Sequence, residues 1–211
     1  TETFTATEFC DVREDKIYRK VTIGDQTWMA ENLNYAVGGK CYAENVAGVS
    51  ADSIAKNCAT YGRLYNWETA VALPNCNTTS CSGQINQPHQ GVCPAGWHLP
   101  SNAEWDALMQ FVNPSCTATG DCAGAGTLLK AVDGWNGNLV STDIHDFSAL
   151  PGGYCGSGGS FGNVGYVGNW WSATENNSIN AWSRSMTYNG SGVGRYDNGK
   201  SFLFSVRCLQ D

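Results

Sequence analysis

Charge is scarce in this 211-residue chain: Asp, Glu, Lys and Arg make up 15% of it, against roughly 25% in an ordinary soluble protein. Basic residues are the scarcer sign, 12 against 19 acidic, for a net charge of −7. That is the wrong sign for a phosphate-binding surface, so a nucleic-acid partner is not expected. Long apolar runs are missing too, since nothing approaches the roughly 18 residues of a membrane-crossing helix. The chain opens at Thr1 without a recognisable signal peptide, as a mature or trimmed form would. Cys-x-x-Cys is absent as well. The nearest spacings are Cys76-x4-Cys81 and Cys116-x5-Cys122, with no matched histidine pair to complete a zinc site.

What is present is core material and cysteine. Hydrophobic residues make up 42% of the chain and aromatic residues 11%. The length suits one large domain, since domains mostly run to roughly 50–250 residues. Ten cysteines stand at 10, 41, 58, 76, 81, 93, 116, 122, 155 and 208. An even, dispersed set reads as a disulfide framework formed outside the reducing cytoplasm. Short loops close easily, which favours Cys41–Cys58, Cys76–Cys81 and Cys116–Cys122. Cys10, Cys93, Cys155 and Cys208 are left for long-range bridges, and their spacing does not pair them.

Residues 16–35 read as two strands around Gly24-Asp25, with Tyr18, Val21, Ile23 and Trp28 as β-formers. Over 59–73 the period changes: Leu64, Trp67 and Val71 fall at helical spacing and Pro74 stops the run. A second helix is expected over 101–113. Ser101 and Glu104 form a capping box, and Trp105, Leu108, Met109 and Val112 make the apolar stripe. A short helical stretch follows at 127–132. Strands are expected at 147–154, 169–175, 181–188 and 201–208. Within 181–188, Trp182, Arg184, Met186 and Tyr188 alternate with Ala181, Ser183, Ser185 and Thr187. That period of two puts the larger side chains on the core and the small polar ones on a free face. Helices early and antiparallel strands late give one α+β domain over 1–211, with residues 1–8 as a lead-in or linker. Trp97, Trp105, Trp171, Phe204 and Val206 are expected in its core.

Catalytic signals are thin. Gly158 to Gly162 matches G-x-S-x-G, but a nucleophile elbow needs a strand before it and a helix after it, and glycine-rich runs match easily by chance. His98, just before the second helix, reads as a packed or capping histidine. Glu31, Glu68, Glu104 and Glu175 show no pairing that would serve acid–base chemistry. Asp143 and Asp146 flank His145 without the EF-hand pattern, so calcium is unsupported and no cofactor is expected. The segment 176–199 is the unusual one: 13 of its 24 residues are Asn, Ser or Gly. It reads as an ordered hairpin, and Ser, Gly, Asn and Tyr are also the residues of adaptable binding loops.

Six phrases in order carry a family resemblance: VTIGDQTWMAENLNY at 21–35, YGRLYNW at 61–67, GVCPAGWHLPS at 91–101, DFSALPGGY at 146–154, WSATE at 171–175 and FSVRC at 204–208. Together they resemble the Fibrobacter succinogenes major paralogous domain over about residues 8–211. The resemblance implies a C-type lectin-like fold related to that of the formylglycine-generating enzyme, with two helices packed on a twisted antiparallel sheet. It implies a bacterial protein, secreted or displayed at the cell surface, often as a module of a larger surface protein, with no transferable catalytic residues. The cysteines of the Cys-Pro-Ala-Gly-Trp and Val-Arg-Cys motifs would pair as Cys93–Cys208, and Cys10–Cys155 would then be the fifth bridge. Some similar domains are targets of diversity-generating retroelements, which rewrite Asn codons ahead of the last motif. Ser183, Ser185, Thr187 and Asn189 are residue types such rewriting produces.

The expected function is therefore a non-catalytic adhesion module that binds an extracellular glycan or protein. The expected contact residues are Ser183, Ser185, Thr187, Tyr188, Asn189, Arg195, Tyr196 and Asn198. The alternatives are a variable receptor-binding protein of the retroelement type and an oxidase of the formylglycine-generating type. The oxidase would need free reactive cysteines, which complete pairing of the ten would deny it.

Overall fold

A computed structural model describes residues 7–117, 121–137 and 141–211. Residues 1–6 of the expected lead-in lie outside the described residues, and Glu8 already opens the first strand. In chain order the elements are β1 (Glu8–Asp11), β2 (Lys16–Ile23), β3 (Gln26–Met29), α1 (Ala51–Tyr61), β4 (Leu64–Tyr65), α2 (Trp67–Val71), β5 (Trp97–His98), α3 (Asn102–Val112), α4 (Ala125–Leu129), β6 (Tyr154–Cys155), β7 (Phe161–Gly162), β8 (Val167–Glu175), β9 (Asn180–Thr187), β10 (Gly194–Gly199), β11 (Phe204–Ser205) and β12 (Leu209–Gln210).

Where local chemistry is strong, the elements follow it. β2 and β3 meet around Gly24-Asp25 with Ile23 opposite Gln26. α3 starts on its capping box: the Glu104 amide donates to Ser101 Oγ, and the Ser101 amide donates to Glu104 Oε2 at 2.7 Å. The single helix expected over 59–73 is instead two. Gly62, at φ 73°, caps α1 in a conformation that side chains oppose. The chain then runs extended through β4, and Asn66 restarts it by accepting the Thr69 amide at 2.9 Å. The strands expected at 169–175 and 181–188 form as β8 and β9. Those expected at 147–154 and 201–208 shrink to β6 and β11, because both segments turn between layers.

The strands form two five-stranded sheets, ordered β1-β2-β3-β12-β5 and β10-β9-β8-β11-β4, with β6-β7 as a small ribbon. Pairing is antiparallel except at β11–β8. Immediately after β11 the chain crosses to the other sheet as β12. The architecture is mixed α/β with largely antiparallel sheets. The second sheet is covered on both faces. Consecutive strand residues point oppositely, and Trp170 and Trp171 are both fully buried. Trp170 joins Trp28, Trp105 and Phe147 in one core, and Trp171 joins Tyr65, Trp67 and Val206 in the other. Trp97 and Phe204 are buried as well.

Four bridges form among the described residues: Cys41–Cys58, Cys76–Cys81, Cys93–Cys208 and Cys116–Cys122. Cys10–Cys155 does not form. Cys155 is a buried thiol on β6, beside Leu203, whereas Cys10 sits on β1 of the first sheet, opposite Ile17. Cys93–Cys208, spanning 115 residues, closes a loop worth about 4–5 kcal/mol in the chain-entropy model.

Three buried polar assemblies tie the layers. Arg207 is fully buried at the crossing between sheets. It donates to Asn32 Oδ1 at 2.9 Å, to Ser148 O at 3.2 Å and to Phe147 O, with its guanidinium over the Phe147 ring. Burial pulls its pKa down to about 9, opposed by Asp143, so it stays charged at neutral pH. Asn32 Oδ1 also accepts Trp170 Nε1 at 2.8 Å, while Asn32 Nδ2 donates to Tyr61 O. Lys200 is equally buried, pairs with Glu175, donates to Thr79 O and Ser178 O, and lies over the Trp67 ring. His98 bridges Glu104 at 2.9 Å and Asp211 at 2.7 Å. Burial opposes its imidazolium, but the two carboxylates outweigh that and raise its pKa. His98 is thus a structural tie between α3 and the end of the chain. Asp143 accepts the amide and hydroxyl of Ser148, and Ser160 precedes the two-residue β7 with no helix after it.

Two outcomes follow from these assemblies. Asn32→Leu should cost about 3–5 kcal/mol in urea unfolding, because it strands the Arg207 charge and the Trp170 N–H. Burial opposes the Glu175 carboxylate, but Lys200, Ser80 and the Cys81 amide hold its carboxyl at about 2 against an ordinary 4.5. A depressed carboxyl stabilises the fold above its unfolded value and loses that contribution as pH falls through the folded one. Stability should therefore drop by on the order of 3 kcal/mol between pH 4.5 and 2, and Glu175→Gln should flatten that window in acid titrations.

Candidate functional site

The hairpin of β9 and β10 sets the side-chain directions at the C-terminal face. Ser185 pairs with Gly194, Arg184 with Arg195 and Ser183 with Tyr196. Alternation therefore sends Ser183, Ser185, Thr187, Gly194 and Tyr196 to one face and Arg184 and Arg195 to the other. The second face rests on α3. Arg184, 2% exposed, donates to Asp106 Oδ1 at 2.6 Å and to Asn102 Oδ1 at 2.9 Å. Burial lowers its pKa and Asp106 opposes the shift. Arg195 lies 4.4 Å over the Trp182 ring and 3.9 Å from Asp106.

On the first face a shallow groove of about 300 Å³ opens beside the hairpin turn. Its polar lining is Asp121, Ser185, Thr187, Ser191 and Tyr196, with glycines at 190, 192 and 194. The segment bearing Asp121 is brought here by the Cys122–Val193 bridge and by the Arg195 amide, which donates to Asp121 Oδ1 at 2.9 Å. The Cys116–Cys122 disulfide anchors the same segment. Beneath the turn, Lys130, 1% exposed, donates to Thr187 O at 3.0 Å and Gly190 O at 2.6 Å. Burial lowers its pKa. Its ammonium acts as a clip on the turn that walls the groove.

The residues expected at the site divide. Ser185, Thr187 and Tyr196 share the groove, and Asn189 is exposed at the turn. Ser183 is fully buried rather than on a free face: its hydroxyl donates to Tyr196 O at 3.2 Å and accepts Asn198 Nδ2 at 2.9 Å. Ser183 and Asn198 therefore belong to the hairpin's internal bonding. Tyr188 packs edge-on against Tyr166, ring centres 5.1 Å apart. Arg195 faces α3, because 194–199 pairs with β9 as a strand whose alternation turns it there. Asp121 and Lys130 were not expected. Nothing local marks either, since both reach the site by contacts with residues more than fifty positions away.

Larger hollows lie elsewhere. One of about 450 Å³ is lined by Arg19, Lys20 and Asp146, but Arg19 is already held by Glu31 at 3.0 Å. A more open one of about 520 Å³ follows α1 and the Cys41–Cys58 bridge. Neither gathers the residues of the C-terminal segment.

The model of the family described as Fibrobacter succinogenes major domain matches residues 21–210. No curated protein and no solved structure matches.

The division between scaffold and groove is measurable. Arg195→Ala should cost about 1–2 kcal/mol in urea unfolding, through the lost stacking on Trp182. Tyr196→Ala should stay within about 0.5 kcal/mol of the parent, as expected of a side chain that nothing in the core needs.

Proposed function

The chain belongs to the Fibrobacter succinogenes major domain family, and we propose that it is a non-catalytic, secreted or surface-displayed module that binds an extracellular glycan or protein ligand through the groove beside the β9–β10 turn. One observation carries this reading. The groove is lined by the exposed side chains of Thr187, Ser191 and Tyr196, on the β9–β10 hairpin whose other face is locked to α3 by Arg184 and Arg195. Such a site is pre-organised, and little conformational entropy is lost on binding. Four disulfides fit a compartment outside the reducing cytoplasm. No helix among the described residues is long and apolar enough to cross a membrane. We read the architecture as C-type lectin-like, with the C-terminal hairpin as its ligand-bearing edge.

The oxidase alternative is the weaker one, on grounds that differ from complete cysteine pairing. It needs two reactive thiols side by side. Burial pushes the Cys155 thiol up, which makes it a poor nucleophile, and Cys10 is on β1 of the first sheet while Cys155 is on the β6–β7 ribbon. The retroelement-type alternative is favoured at Thr187 and Asn189, which are exposed, and disfavoured at Ser183, which is buried and bonded on both sides.

The test is a groove-filling substitution. Thr187→Trp should reduce capture of surface glycans or glycoproteins by the purified chain at least tenfold while the melting temperature moves by no more than about 3 °C. Unchanged capture would place the binding surface elsewhere.

A further inference from the structure

We infer that the groove takes a neutral carbohydrate, with the Tyr196 ring as stacking platform and the Asp121 carboxylate as acceptor for ring hydroxyls. The inference rests on the binding reading above and narrows it to one ligand class.

Tyr196 is 51% exposed although it lies on a strand. Its ring leans back over Gly194: a Cβ added there would come within 2.9 Å of Tyr196 Cζ and Oη. One edge of the ring therefore rests against bare backbone while about half of the side chain is open to solvent. An aromatic face presents polarised C–H groups of a pyranose with a matching apolar partner, while the hydroxyls around the sugar rim need hydrogen bonds. The groove supplies them. Thr187 and Ser191, both exposed, each donate and accept, and the Asp121 carboxylate accepts only. One Asp121 oxygen takes the Arg195 amide, and the other is not part of that bond.

Charge argues against an anionic ligand. No Lys or Arg lines the groove. Arg184 and Arg195 are turned to α3, and the Lys130 ammonium is committed to the carbonyls of Thr187 and Gly190. A uronate or sulfate would meet Asp121 in a protein of net charge −7. Shape argues against a protein ligand. At about 300 Å³ the groove is shallow and lined with hydroxyls and glycine, with no desolvated apolar pocket to seat the aromatic or Arg anchors that dominate protein interfaces.

The experiment titrates the intact chain against neutral gluco-, xylo-, manno- and galacto-oligosaccharides, against oligogalacturonates and against a tryptic peptide pool. The expected result is binding to at least one neutral series and neither of the other two. Tyr196→Ala should weaken it at least tenfold and Tyr196→Phe less than threefold, which separates stacking from hydroxyl bonding. Gly194→Ala should also weaken it, by lifting the ring, while the far-ultraviolet circular dichroism stays that of the parent. Asp121→Asn should weaken neutral binding and narrow the discrimination against galacturonates. No neutral series bound at millimolar concentration, or equal binding by Tyr196→Ala, overturns the carbohydrate assignment. The broader groove reading fails separately, if Thr187→Trp leaves the affinity of any bound ligand unchanged.

Discussion

The buried guanidinium of Arg207 is the constraint around which the rest is arranged. A cation taken out of water is tolerated only where its donors are met, and here the acceptors come from remote parts of the chain. Asn32 follows β3, Phe147 and Ser148 lie in the segment before β6, and Arg207 itself sits where the C-terminus crosses between sheets. Asn32 cannot turn its oxygen to Arg207 and Trp170 unless its amide finds Tyr61 O and Ser205 Oγ. The bonds thus fix one another's geometry. Cys93–Cys208 fastens the residue next to Arg207. Loss of the crossing would separate the two sheets and open both cores.

Burial of the second sheet on both faces has a consequence for function. Trp170 and Trp171 leave no free face at the sheet centre, so exposed strand surface is confined to the edge, β10, and to the turn feeding it. An exposed edge strand invites pairing with other chains. β10 carries glycine at both ends and an outward Asp197, features that discourage such pairing. Lys200, the residue after β10, is drawn into the Glu175 pair, so the strand is pinned at its far end while Lys130 clips the turn at the other. The hairpin backbone is thus held at both ends, so that the surface near the turn can vary without loosening it.

What the sequence reveals depends on how local each cause is. The capping box of α3 and the Gly24-Asp25 turn are decided within four residues and are legible. So are the short disulfides, because loop closure is itself local. The spurious helix over 59–73 arises because Leu64, Trp67 and Val71 happen to lie at helical spacing across Gly62, whose conformation resets the chain. β10 escapes notice because edge strands need no apolar alternation. Ser183 shows the limit of period-two reading: alternation says that two faces differ, not that one is free. The fifth disulfide, expected between Cys10 and Cys155, does not form because the fold carries them on β1 and β6, strands of different sheets. Cys93–Cys208 comes through the family motifs and is present. Asp121 and Lys130 are invisible beforehand, since only the closed fold brings them to the turn.

The same reasoning bounds how far the groove can change. Asn198 donates to the Ser183 hydroxyl, which in turn donates to the Tyr196 carbonyl, so substitution there breaks the hairpin before it alters the groove. Arg195 is bound to the scaffold by Trp182 and Asp106. Thr187, Ser191 and Tyr196 are exposed, have no such ties through their side chains among the described residues, and cluster toward the turn. Under the proposed binding role, recognition would be separated from folding along a single pair of strands: the half near Lys200 holds the fold, and the half near Lys130 carries the groove. A scaffold divided in that way can keep its core motifs unaltered while its groove is refitted to a new partner.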